Sequence, residues 1–178
     1  MDAPLIPPER SIVLVGLMGV GKSTVGRRLA RRLGLPFVDS DEEIERAADH
    51  EIKEIFDRFG EASFRDGERR VLRRLIAGER KVIATGGGAF MDSETRALIL
   101  DRCIAVWLEA EVGILAERVA RRGHRPLLAG REPLPFLREL ERVRGPFYAE
   151  AHLRVPSENG PHERTVDRIV AALAERAR

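Results

Sequence analysis

Ser11-Ile-Val-Leu-Val-Gly16-Leu-Met-Gly-Val-Gly21-Lys22-Ser23-Thr24 is the segment against which the remainder of the chain is best read. Its first five residues are a short β-branched run, of the kind buried on both faces in a parallel sheet. Gly16 to Ser23 then satisfies G-x-x-x-x-G-K-[ST], and Lys22–Leu33 carries a helical pattern. From this composition the loop would arise by chance in about one chain in a thousand, before a strand and a helix are required on either side. The spelling follows from chemistry. Glycines let successive backbone N–H groups converge on one concavity, and the helix adds its positive end. Lys22 reaches the outer phosphates of a nucleotide, and Ser23 offers an oxygen to Mg²⁺.

Similar apolar runs recur at Pro36–Asp39, Lys81–Thr85, Cys103–Leu108 and His152–Val155, so five strands are expected. Helical patterns separate them: two or three segments across Asp41–Ala77, then Asp92–Leu100, Glu111–Arg121, Pro135–Glu150 and Glu163–Arg178. Asp92 or Ser93 is placed to cap the segment it begins. Alternation of this kind predicts a three-layer α/β fold with parallel strands. At 178 residues one core suffices, giving a single domain over residues 11–178. Residues 1–10, with three prolines, read as a flexible arm. Two stretches escape the alternation: the long polar helical region after the second strand, and the Gly-, Pro- and Arg-rich residues 123–135. Irregular segments beside a rigid sheet are where substrates are handled.

Charge narrows the partners. The chain has 31 basic residues, of which 28 are Arg and three Lys, against 29 acids, for a net charge of +2. That balance does not predict binding to nucleic acid or an anionic membrane by bulk charge. One cysteine, Cys103, makes no intramolecular disulfide, and four scattered histidines give no metal pattern. No apolar run approaches a membrane-spanning length, and the first ten residues resemble no targeting signal, so a cytoplasmic protein is expected.

A phosphate loop alone admits a GTPase, a mechanical ATPase or a small-molecule kinase. The guanine-reading N-K-x-D is missing, because no Asn-Lys pair occurs. The third strand ends in Thr85-Gly-Gly-Gly88 where an ATPase would place adjacent acids. A kinase is favoured, with a second substrate in place of attacking water. Asp39-Ser-Asp41 closes the second strand on the crevice side of a parallel sheet. One acid can back a metal-bound water near Ser23 while the other meets an acceptor hydroxyl; alternatively, either one simply caps the next helix. Gly86–Gly88 would leave N–H groups open beside a ligand. Arg65 precedes Glu68 by three residues, on one helix face where the acid can orient the guanidinium. Arg125 lies in the irregular segment, and Arg144 precedes Gly-Pro-Phe-Tyr148.

Taken in order, these motifs resemble shikimate kinase from Ser11 to about Ala174: G-x-x-G-x-G-K-S-T at Gly16–Thr24, D-x-D at Asp39–Asp41, F-R-x-x-E at Phe64–Glu68, G-G-G at Gly86–Gly88, R-P-L-L at Arg125–Leu128 and R-x-P-x-Y at Arg144–Tyr148. The resemblance implies a three-layer αβα P-loop kinase fold with strand order 2-3-1-4-5, a shikimate-binding region about residues 41–70 and a mobile lid about 122–135. It implies a monomer, acting on ATP and shikimate with Mg²⁺ in the synthesis of chorismate and the aromatic amino acids. It implies transfer of the γ-phosphoryl group of ATP to the 3-hydroxyl of shikimate.

Residue roles come with it. Asp41 resembles the carboxylate that binds the ring hydroxyls and orients or deprotonates the attacking one, and Asp39 the acid behind the Mg²⁺ held by Ser23. Arg65 and Arg144 resemble the clamp on the shikimate carboxylate, with Glu68 supporting Arg65 and Gly86, Gly87 and Gly88 beside the substrate. Phe56 and Phe64 resemble pocket walls, and Arg125 the lid arginine over the transferring phosphoryl. Gly19, Val20, Gly21, Lys22, Ser23 and Thr24 resemble the phosphate cradle, and Arg118 the partner of the base. Where the family often has Val-Asp after its last strand, this chain has Val155-Pro156-Ser157. A gluconate-type sugar-acid kinase is the alternative enzyme, and a nucleotide-binding module without catalysis is the alternative outside enzymes.

Overall fold

The structure is a computed structural model that describes residues 9–122, 128 and 130–177. Its elements run β1 (Ile12–Val15), α1 (Lys22–Leu33), β2 (Phe37–Asp39), α2 (Ser40–Ala48), α3 (Ile52–Ala77), β3 (Val82–Ala84), a 3₁₀ turn at Ala89–Met91, α4 (Ser93–Arg102), β4 (Ile104–Glu109), α5 (Val112–Arg121), α6 (Pro133–Tyr148), β5 (Leu153–Pro156) and α7 (His162–Arg176). All five expected strands form. The first eight residues of the expected arm, and residues 123–127 and 129 of the expected lid including Arg125, lie outside the described residues.

The sheet is wholly parallel in the order β2-β3-β1-β4-β5. Continuous apolar strands occupy the middle: Ile12 to Leu14, Val82 and Ile83, and Ala105 and Val106 are fully buried. The edge strands β2 and β5 are only half-buried, which fits their shortness and mixed composition. Register fixes the level of the functional ends. Leu14 and Asp39 both pair with Ala84, so the residues following β1, β2 and β3 leave the sheet side by side. Because β3 is inserted between β2 and β1, the glycines after β3 lie between Asp39-Ser-Asp41 and the phosphate loop.

The long region after β2 resolves into helices with local causes. Asp39 caps α2, accepting from the backbone N–H groups of Asp41 and Glu42. The 26-residue α3 is interrupted at Gly60, whose φ of 84° and ψ of 169° belong to a region open essentially only to glycine. Asp92 caps α4 by accepting from Thr95 N–H, as one of the two expected candidates. α6 starts at Pro133, two residues earlier than its periodicity predicts, since proline is tolerated in a first helical turn. The 3₁₀ turn at Ala89–Met91 has no periodic signature and was not anticipated.

Two glycines of α3 give opposite expectations. Gly60→Ala forces a Cβ into a strained backbone and should cost about 1–3 kcal/mol. Gly67→Ala, with helical backbone and open space around the added Cβ, should gain about 0.5–1 kcal/mol. Urea unfolding of the two variants checks the pair, and equal effects would contradict the break at Gly60.

Candidate active site

On the nucleotide side the loop Gly16–Gly21 runs from the end of β1 into α1 with φ of 144° at Gly16, 82° at Gly19 and 96° at Gly21. Gly21 caps α1 without a side-chain acceptor, so the first N–H groups of the helix are left to a ligand. Lys22 folds back over the loop, donating to the carbonyls of Gly16 (2.7 Å) and Leu17 (3.0 Å). Ser157, fully buried, donates its hydroxyl to Val20 O at 3.0 Å and so ties the loop after β5 to the phosphate loop. Arg118, on α5, donates to Gly19 O and to Glu158 O, which places it where these two loops meet.

Asp39 uses its two carboxylate oxygens separately. Its Oδ1 caps α2, while its Oδ2 accepts from Ser23 Oγ at 2.5 Å. The serine hydroxyl and this carboxylate are hard oxygen donors beside the phosphate cradle. Mg²⁺ takes few protein oxygens when phosphates and water complete its octahedron, so the pair fits that ion. Among the described residues no group of three or more His, Cys, Asp or Glu could hold a metal ion.

The acceptor side is organised by Gly86–Gly88, where each glycine faces one charged side chain. A Cβ at Gly86 would lie 2.7 Å from Asp41 Oδ1. At Gly87 it would lie 2.9 Å from Arg144 Nη1, and at Gly88 it would lie 2.6 Å from Arg65 Nη2. Real Cβ atoms do not approach so closely, so the triplet makes room for a carboxylate and two guanidiniums at once. Arg65 donates to Glu68 Oε1 at 2.8 Å, and Glu68 is 2% exposed. Burial raises the Glu68 pKa against the opposing pull of Arg65. Phe56 and Phe64 stack with centroids 4.6 Å apart, and the Arg65 guanidinium lies 5.1 Å from the Phe64 ring.

Burial, followed by the charges of Asp39 and Glu68, raises the pKa of Asp41 to about 6, with Lys22 opposing. Asp41 is therefore a carboxylate whose charge is costly where it stands, near the pKa a positioned base needs at neutral pH. Two guanidiniums opposite one carboxylate suit an acceptor that carries both an acid group and a hydroxyl. A groove of about 420 Å³ between α2 and α3 reaches this constellation through Phe64; convergence of charge, not volume, marks the site.

The structure thus brings together Lys22, Ser23, Asp39, Asp41, Phe56, Phe64, Arg65, Glu68, Gly86–Gly88 and Arg144, with Arg118 beside the phosphate loop. Arg125 lies outside the described residues. Sequence reasoning gave no role to three residues that shape the site. In the sequence Ser157 stands out only as part of Val155-Pro156-Ser157 after the last strand. Thr85 donates to Leu14 O at 2.8 Å and locks the glycine triplet to β1. Tyr148, at the end of R-x-P-x-Y, donates to Gly87 O at 2.5 Å.

Comparison with known proteins agrees with this geometry. The shikimate kinase family model matches residues 18–174. A shikimate kinase of Zymomonas mobilis subsp. mobilis is 55% identical, over 97% of this chain and 98% of its own length. Among solved structures, a shikimate kinase from Acinetobacter baumannii in complex with shikimate superposes with a TM-score of 0.89 at 39% identity, covering 94% of each chain. A gluconokinase from Sinorhizobium meliloti 1021, at 24% identity and a TM-score of 0.59, covers 95% of this chain and 94% of its own, and shares the fold.

The raised pKa of Asp41 makes a stability prediction. With the folded value above the ordinary 3.8, the ionised group destabilises the fold above about pH 6 and is without effect below about pH 4. Asp41→Asn should therefore raise the Tm of the ligand-free protein by about 2–6 °C at pH 7.5 and leave it unchanged at pH 4. A variant no more stable than wild type at pH 7.5 would contradict the buried-charge account.

Proposed function

We propose a division of labour for this chain, which belongs to the shikimate kinase family and catalyses ATP-dependent phosphorylation of shikimate. The observation that carries it is the glycine triplet with Asp41, Arg144 and Arg65 each against one glycine. Arg65 and Arg144 grip the shikimate carboxylate. A planar guanidinium holds a carboxylate through two hydrogen bonds, which lysine cannot do. Glu68 fixes Arg65 from beneath, and Phe56 and Phe64 cover the apolar face of the ring. Asp41 accepts a hydrogen bond from the 3-hydroxyl, aligns it with the γ-phosphorus and takes its proton as the P–O bond forms, giving shikimate 3-phosphate and ADP.

The loop from Gly19 to Thr24 supplies N–H groups to the phosphates. Lys22, released from the Gly16 and Leu17 carbonyls, neutralises charge on the transferring oxygens. Mg²⁺, when bound, would be held by Ser23 with Asp39 behind it and would add further neutralisation of the phosphate charge. Arg125 closes over the transferring phosphoryl and helps exclude water, which otherwise competes for ATP. Arg118 sits on the base side of the nucleotide. The enzyme works as a cytoplasmic monomer. Among the described residues no helix is long and apolar enough to cross a membrane.

The sugar-acid kinase alternative lacks equal support. Paired aromatic walls and two guanidiniums fit a compact cyclic acid, and the gluconokinase likeness extends to the fold alone. A coupled ADP-release assay with ATP and Mg²⁺ should show turnover with shikimate and little with gluconate, quinate or no acceptor. Absence of shikimate-dependent turnover would overturn the reading. Asp41→Asn should lower kcat at least about 10²-fold with ATP binding retained, and near-normal turnover would remove Asp41 from its role. Arg144→Ala should raise the KM for shikimate with little change in the KM for ATP; the opposite pattern would refute the clamp.

A further inference from the structure

We infer that Tyr148 is a positioning residue that holds Arg144 in register with Gly87 and so sets the preference for a carboxylate-bearing acceptor. The inference rests on the reading of Arg144 as a carboxylate clamp. Tyr148 is 1% exposed, and its ring packs against Trp107 with centroids 6.0 Å apart. Its hydroxyl donates to Gly87 O at 2.5 Å. At the same glycine an added Cβ would lie 2.9 Å from Arg144 Nη1 and 3.8 Å from the Tyr148 oxygen, so the three groups converge on one point. A phenol has one donor and two lone pairs, enough to donate to the carbonyl while accepting from the guanidinium. Arg144 acts on the Tyr148 oxygen as both a charge and a hydrogen-bonding partner, opposing the rise in pKa that burial causes.

Helix geometry permits such a tie. Arg144 and Tyr148 are four residues apart on one face of α6. Between them Pro146 removes one backbone N–H from the last turn, which leaves that turn more dependent on tertiary contacts. Arg96 provides a second tie. Its guanidinium lies 4.7 Å from the Phe147 ring and pairs with Glu150 at 2.9 Å, while donating to the carbonyls of Phe90 and Met91. The end of α6 is thereby joined on two sides to the segment from Gly87 to Met91. A long side chain aimed in advance loses less freedom when it binds, so the hydroxyl should contribute to acceptor affinity without touching the acceptor.

Tyr148→Phe keeps the ring and removes only the hydroxyl. Steady-state kinetics with shikimate and with its methyl ester, in which the carboxylate charge is absent, separate the possible roles. Tyr148→Phe should raise the KM for shikimate about 3- to 10-fold, leave kcat within about twofold and the KM for ATP unchanged, and spare the ester. In the Arg144→Ala background the same change should add nothing, because Tyr148 acts through Arg144. Equal losses on both acceptors, no loss on either, or a full additive effect without Arg144 would each overturn the inference. If Arg144→Ala alone affected shikimate and ester equally, the clamp reading would fail instead, which keeps the two claims separable.

Discussion

The acceptor site depends on an absence of side-chain volume at Gly86–Gly88. Three charged groups on three different helices, Asp41 on α2, Arg65 on α3 and Arg144 on α6, come closer to this backbone than any Cβ would allow. Strand order places the triplet where it is needed. With β3 between β2 and β1, its carboxyl end borders the acid pair on one side and the phosphate loop on the other, and Thr85 pins it to β1. The phosphate loop and the glycine triplet thus stand on neighbouring strand ends, and in-line transfer depends mainly on such positioning.

Charge at the site is matched but confined. Asp39, Asp41 and Glu68 face Lys22, Arg65 and Arg144, and burial raises the pKa of both Asp41 and Glu68. Glu68 has a close partner in Arg65, whereas the charges of Asp39, Glu68 and Glu45 add to burial in raising the pKa of Asp41 against the pull of Lys22. Elsewhere the abundant arginine has a plainer role. Pairs such as Arg27 with Glu42, Arg28 with Glu163 and Arg73 with Glu94 are exposed on both sides and contribute about 0–1 kcal/mol each. Near the glycine triplet, Arg65 has Glu68 and Phe64 as neighbours, Arg96 has Phe147 and Arg144 has Tyr148, whereas Arg27 over Phe37 and Arg154 over Trp107 show that ring contacts also form on the exposed surface.

Much of this was legible in sequence because its signals are local. The strand, loop and helix at Ile12–Leu33 are written in periodicity and glycine spacing, and i,i+3 spacing alone foretold the Arg65–Glu68 pair. Asp39 was ambiguous between a cap and a metal-side acid because one carboxylate has two oxygens; the structure uses Oδ1 for the first and directs Oδ2 at Ser23. What stayed hidden depends on distant partners. The glycine triplet reads as a turn until its three neighbours are in place, the contact of Ser157 with Val20 spans 137 residues and that of Tyr148 with Gly87 spans 61. The break at Gly60 was foreseen only as a possible division of the long helical region, since an isolated glycine within a helix carries no sign of its φ.

Substitution at Gly88 tests the central claim most directly. Gly88 has φ −94° and ψ −9°, which alanine adopts without strain, so the added methyl perturbs only the guanidinium it meets. The account predicts that Gly88→Ala displaces Arg65 and raises the KM for shikimate at least about 10-fold, the scale of one charge-assisted hydrogen bond, with Tm and the KM for ATP near wild type. An unchanged KM for shikimate in a correctly folded variant would contradict it.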